Sequence, residues 1–162
     1  MNQDLTAEEL IALLDLQPLA GEGGYYRETY RQPDASGRGS LTTAILFLVT
    51  PAYYSGLHCL THDELFHFYL GDPCEMVTFR SGDDLMITAI GPDLRRGMKI
   101  QHLVEAKTWQ GTRLRAGGRF ALLGTTMTPG FDPAGFQLAS EANLLELSGP
   151  DRAIVRPYLP VV

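Results

Sequence analysis

Three of the four histidines fall in one stretch, Gly56-Leu-His-Cys-Leu-Thr-His-Asp-Glu-Leu-Phe-His-Phe-Tyr-Leu-Gly71. Two of its residues could do chemistry together. His58 has a side chain that gains and loses a proton near neutral pH. Glu64 begins a run of aromatic and apolar residues, where a buried carboxylate must be paired or protonated. A base and a proton-holding acid facing one cavity would suit general acid–base catalysis. The same two groups could equally satisfy each other inside a pocket that only binds. Both readings stand at this stage.

Other residues could complete such a site. Gln110 offers a polar anchor, and Arg27 a contact for a carboxylate or phosphate. Phe66, Phe68 and Trp109 offer flat apolar surface. His67 would join them only if a β-bulge turned it inward, since regular alternation puts it on the face opposite Glu64. Were a metal bound, His58, Glu64 and Gln110 would be its donors. One imidazole, one carboxylate and one amide make a poor set for a divalent transition metal, so no cofactor is expected. The Gly21-Glu-Gly-Gly24 turn precedes a strand rather than opening a helix, which excludes a dinucleotide loop.

Strands must position these groups. Glu64 to Tyr69 alternates, placing Glu64, Phe66 and Phe68 on one face and Leu65, His67 and Tyr69 on the other. Tyr25 to Arg31 alternates in the same way, with Arg27 and Arg31 on one face. Leu41 to Thr50 is an apolar run suited to a strand covered on both sides. Short strands follow at Cys74–Arg80, Leu85–Ile90, Ile100–Val104, Gly111–Leu114 and Phe120–Thr126, with turns about every ten residues. Thr6-Ala-Glu-Glu9 is a capping box opening a helix, and Glu141 to Tyr158 has helical spacing. The expected fold is mostly β, a jelly-roll barrel or sandwich with short N- and C-terminal helices. One domain spans residues 1–162, with its barrel at about 22–139.

Composition narrows the classes. The chain has 162 residues and a net charge of −6, which argues against nucleic acid as the partner. No apolar run is long enough to span a membrane. The first six residues show no secretory signal, and Cys59 and Cys74 do not make a disulfide framework. A cytoplasmic protein whose partner is a small polar metabolite is expected.

The central stretch resembles the first motif of the cupin superfamily: His58 matches its first histidine, Glu64 its glutamate and Gly71 its closing glycine. Leu60 stands where the second histidine belongs, and Gln110 where the last one does. Both departures, with Glu22-Gly-Gly-Tyr-Tyr-Arg-Glu-Thr-Tyr30, Trp109-Gln-Gly111 and Thr128-Pro-Gly-Phe-Asp132, are similar to the cupin-5 group, which has no assigned activity. The resemblance implies a jelly roll, a homodimer, and Leu60 pointing into the cavity in place of a ligand. It also implies a metal-independent isomerase or epimerase of a sugar or nucleotide sugar. His58 would then be the base and Glu64 the acid. The alternatives are a non-catalytic metabolite sensor and a metal-dependent enzyme such as a dioxygenase.

Overall fold

The computed structural model describes residues 5–160. Residues 1–4, on which the signal-peptide expectation partly rests, and 161–162 lie outside the described residues. Thr6 caps the first helix. Its hydroxyl accepts from the Glu9 N–H at 3.2 Å, and the Glu9 carboxylate accepts from the Thr6 N–H at 2.8 Å. This capping box opens α1 (Ala7–Leu13), whose buried residue is Leu10.

The strands follow in the order β1 (Gln17–Pro18), β2 (Tyr25–Pro33), β3 (Ser40–Val49), β4 (Ser55–Leu60), β5 (Glu64–Gly71) and β6 (Cys74–Phe79). Then come β7 (Met86–Ile90), β8 (Gln101–Val104), β9 (Trp109–Leu114), β10 (Ala121–Met127), β11 (Phe136–Leu138) and the helix α2 (Gly149–Val155). Two antiparallel sheets result, ordered β1-β2-β3-β10-β5-β8 and β11-β4-β9-β6-β7. They face each other as a jelly roll. Among the described residues no helix is long and apolar enough to cross a membrane.

Side-chain alternation sorts the apolar residues into three layers. Phe47, Phe66, Met76 and Leu123 meet between the sheets. Leu48, on the other face of β3, packs with Leu10, Leu16, Phe120 and Leu122 beneath α1. The apolar run of β3 is therefore covered on both sides. Leu57, Val77 and Trp109 point out of the second sheet, where Leu144, Val155 and Tyr158 of the C-terminal segment cover them. Each fully buried side chain of this size contributes roughly 1.5–3 kcal/mol.

The expected strands form within a residue or two of their bounds. β4 is an addition: the sequence shows Tyr53 to Leu57 only as an approach to the histidine stretch. Its residues Ser55, Gly56, Leu57, His58 and Leu60 are all buried, so polar–apolar alternation is masked.

Candidate functional site

A cavity of about 210 Å³ opens between the sheets. β2 and the loop before it supply Glu22, Tyr26 and Glu28, β4 supplies His58 and Leu60, and β5 supplies Glu64 and Phe66. Phe47, Phe131 and Phe136 add aromatic wall.

His58 is only 3% exposed. Its Nδ1 lies 2.8 Å from the Gly56 carbonyl oxygen. A carbonyl only accepts, so Nδ1 carries the hydrogen and Nε2 of the neutral ring holds the free lone pair. A Glu22 carboxylate oxygen sits 3.8 Å from Nδ1 and accepts from the Ser55 hydroxyl at 2.7 Å. The imidazole stacks on Phe136 with centroids 5.3 Å apart.

Glu64 faces the same cavity and is 7% exposed. Gln110, next to His58 in the sheet register, crosses the barrel and donates Nε2–H to Glu64 Oε2 at 2.8 Å. Burial drives the Glu64 pKa above the ordinary carboxylate range. Proximity of His58 works against that rise, Glu22 adds to it, and hydrogen bonds from Thr125 and Gln110 oppose it. Desolvation is the largest of these influences, and it favours the acid form of Glu64. Gln110 Oε1 is buried with no hydrogen-bond partner among the described residues.

The structure brings His58, Glu64, Gln110, Phe66 and Leu60 together. Four residues read as ligand contacts lie elsewhere. Arg27 is exposed on the outer face of β2, because Tyr26 and Glu28 take the inward positions opposite Phe47 and Ile45. Phe68 shares the Glu64 face but packs into the core beyond the cavity. Trp109 points out of the second sheet and stacks on Phe79 at 6.5 Å. His67 keeps regular alternation, so it lies on the outer face, where it meets the Thr126 hydroxyl at 3.1 Å and the Gln101 amide at 3.2 Å.

Arg31 also departs from expectation. Thr29 is bulged out of the β2–β3 register, so Arg31 pairs with Thr43 and turns to the inner face. There it grips Glu28 with two bonds of 2.7 Å and reaches Ser40 and the Phe131 carbonyl.

Glu22, Glu28, Phe131 and Phe136 are site residues that the sequence does not flag. Glu22 sits in a glycine turn, normally a solvated place. Gly24 has φ +72°, and a Cβ there would stand 2.6 Å from Phe47 Cζ. That close approach, with the Glu22 carbonyl accepting from Gly56 N–H at 2.8 Å, presses the turn onto the barrel. Phe131 and Phe136 lie outside any long alternating run. The available signals are Glu22 and Glu28 within Glu22-Gly-Gly-Tyr-Tyr-Arg-Glu-Thr-Tyr30 and Phe131 within Thr128-Pro-Gly-Phe-Asp132.

The donors do not suit a tightly held transition metal. Leu60 puts hydrocarbon where a ligand is needed, the Gln110 amide N–H is turned to Glu64, and burial disfavours the charged form of Glu64. Among the described residues no group of three or more His, Cys, Asp or Glu is arranged around an ion. The cysteines are also unused. Cys74 is buried and its thiol is pushed up to about 12, chiefly by burial.

Comparison with known proteins agrees with this architecture. No curated protein matches the chain. A protein from Shewanella oneidensis is 30% identical, superposes with a TM-score of 0.87, and the match covers 96% of this chain and 98% of that one. A hypothetical protein from Leishmania major is 28% identical with a TM-score of 0.85, over 96% of this chain and 99% of that one. A cupin-2 domain from Rhodospirillum rubrum is 16% identical with a TM-score of 0.60, over 90% of this chain and 88% of that one, and shows the fold alone. The family model described as "Cupin superfamily (DUF985)" matches residues 8–139. The chain belongs to this DUF985 family of the cupin superfamily.

Proposed function

We propose that the barrel cavity binds a small metabolite and moves a proton on it, as an isomerase or epimerase does. The observation that carries this is the state of the two facing groups. The Gly56 carbonyl takes the Nδ1–H of His58, which leaves Nε2 for the cavity, and burial raises the Glu64 pKa, which favours its acid form. His58 Nε2 takes a proton from a carbon next to a carbonyl. Glu64 gives its proton to the carbonyl oxygen, forming an enol. For an α-hydroxy carbonyl, His58 returns the proton to the former carbonyl carbon while the neighbouring hydroxyl gives its proton to Glu64, which isomerises the substrate. For inversion the enol turns in the cavity, takes the proton from His58 on its other face and returns the hydroxyl proton to Glu64. Protonated His58 is supported by the Glu22 carboxylate, and ionised Glu64 by Gln110. No step needs a metal.

The lining favours a ligand with an apolar body. Phe47, Leu60, Phe66, Met127, Phe131 and Phe136 form much of the wall. They would strand most hydroxyls of a sugar without partners, at a cost of about 1–3 kcal/mol each. The anion contact expected at Arg27 is also absent from the cavity.

Solvent-isotope exchange tests the reading. The purified chain is incubated in D2O with a panel of ketones, keto acids, aldoses and ketoses, and followed by proton NMR. Catalysed loss of a carbon-bound proton signal that stops with His58→Ala supports proton transfer. Saturable binding without exchange leaves a metabolite-binding protein, the second reading. Neither binding nor exchange across the panel defeats both.

A further inference from the structure

Two acceptors are left unspent around the cavity, the Glu22 carboxylate and His58 Nε2, and among the described residues the carboxylate has no lysine or arginine beside it. Among the described residues no lysine or arginine lines the cavity. Arg31, at its edge, has its guanidinium N–H groups engaged, mainly by Glu28. Glu64 is taken by Gln110, and burial disfavours charge there. Glu22 remains, with the Ser55 hydroxyl on Oε1 and with His58 Nδ1 at 3.8 Å already donating to Gly56.

A second observation points to a ligand independently of that charge. His58 is 3% exposed, lines the cavity, and its Nε2 has no hydrogen-bond partner among the described residues. A lone pair of this kind, open to a cavity in a side chain otherwise buried, is free to take a donor from outside the protein. An ammonium group carries three donors and no acceptor. The walls suit it as well: Tyr26, Phe47, Phe66, Phe131 and Phe136 present aromatic rings, whose negative faces attract cations.

We propose that the cavity selects a small primary ammonium ion with an apolar body. The ammonium meets Glu22, with His58 Nε2 as a second acceptor, and the body lies against the phenylalanines. A ligand so placed occupies the nitrogen that proton transfer needs, so it is held as a non-reacting ion in the same cavity. The proposal depends on the reading above only for the location of the ligand.

Three probes of matching shape decide it: phenethylammonium, 2-phenylethanol and phenylacetate. Each is titrated into the full chain near neutral pH, with binding followed by calorimetry and ligand-observed NMR. The ammonium is expected to bind at least about tenfold more tightly than the alcohol, and the carboxylate not to bind. Glu22→Gln should bring the ammonium down to the level of the alcohol, while Arg27→Ala, on the outer face, should leave the order unchanged. Melting curves establish that each variant is folded, and the order in the wild-type chain is decisive even if Glu22→Gln is not. Equal or tighter binding of the alcohol or the carboxylate overturns the proposal, as it would if protonated His58 already balanced Glu22. So does no binding of any probe at about 10 mM, a concentration that reveals even millimolar affinity. Charge selection without proton exchange on any substrate would sink the isomerase reading and leave this one standing.

Discussion

Gln110 and Glu64 stand on opposite sheets, and a single hydrogen bond of 2.8 Å joins them across the barrel. The bond persists whether or not Glu64 is ionised, because a protonated carboxyl keeps a carbonyl oxygen that can accept. Glu64 can therefore change its proton count without losing its place.

That proton count has a thermodynamic signature. Burial raises the folded pKa of Glu64 above its ordinary 4.5. Between those two values the native state holds a proton that the unfolded chain releases. The contribution of Glu64 is fully present below the ordinary value and is lost as pH rises through the folded one. Each unit of rise costs about 1.4 kcal/mol at higher pH. Glu64→Gln should remove this slope and be the more stable form in mildly alkaline solution. Urea titrations of both proteins at several pH values measure it, and parallel curves would contradict the assignment.

Trp109 supports the fold from outside the cavity. Its replacement by Ala should cost about 3–5 kcal/mol by opening the layer beneath the C-terminal segment. Binding of phenethylammonium to the folded fraction should be unchanged. As the only tryptophan, it should emit at short wavelength and respond to unfolding, with no quenching by ligand. A ligand-dependent emission change would place Trp109 closer to the site than its outward position allows.

The two arginines of β2 should separate cleanly. Arg27→Ala removes an exposed side chain and should alter stability by less than about 0.5 kcal/mol. Arg31→Ala should also cost little stability, below about 1 kcal/mol for a half-exposed pair. Yet it frees the Glu28 carboxylate and releases the Phe131 carbonyl, so the order of probe affinities should shift further toward cations. Calorimetry with the three phenyl probes reads that shift, and identical behaviour of the two variants would refute the inward placement of Arg31.

Metal addition gives a separate check. A bound ion would raise the melting temperature by mass action. The donors around His58 should hold none tightly, so EDTA and then excess manganese, nickel or zinc should each leave the melting curve in place. A rise on addition that EDTA reverses would show a site these donors do not explain.

Much of this was legible from residue order. The capping box at Thr6, the covered run of β3 and the inward face of Glu64 and Phe66 follow from local rules of side-chain direction. Trp109 and Phe68 show where those rules stop. Alternation gives two faces but does not say which region of an inward face is hollow, or that a distant C-terminal segment covers an outer one. Glu22 was hidden for another reason. Its position depends on backbone contacts between its turn and β4, residues far apart in the chain, and no local pattern records such contacts.

The bulge at Thr29 makes the cavity edge tolerant of that residue's identity and even of its loss. Glu28 and Arg31 are three apart, an odd interval that places two side chains on opposite faces of a regular strand. They share a face only because one residue between them is skipped by the pairing. Thr29 can therefore change identity at little cost, losing one hydrogen bond of 3.2 Å to the Ala44 carbonyl. Deleting it removes the bulge and leaves the pairing. Glu28 would still face Ile45 and Arg31 would still face Thr43, now two apart, the interval at which a regular strand keeps both side chains on one face. A deletion at Thr29 should thus keep the Glu28–Arg31 pair, as Thr29→Ala or Thr29→Val does. Related chains should carry this glutamate and arginine either three apart with a bulge or two apart without one.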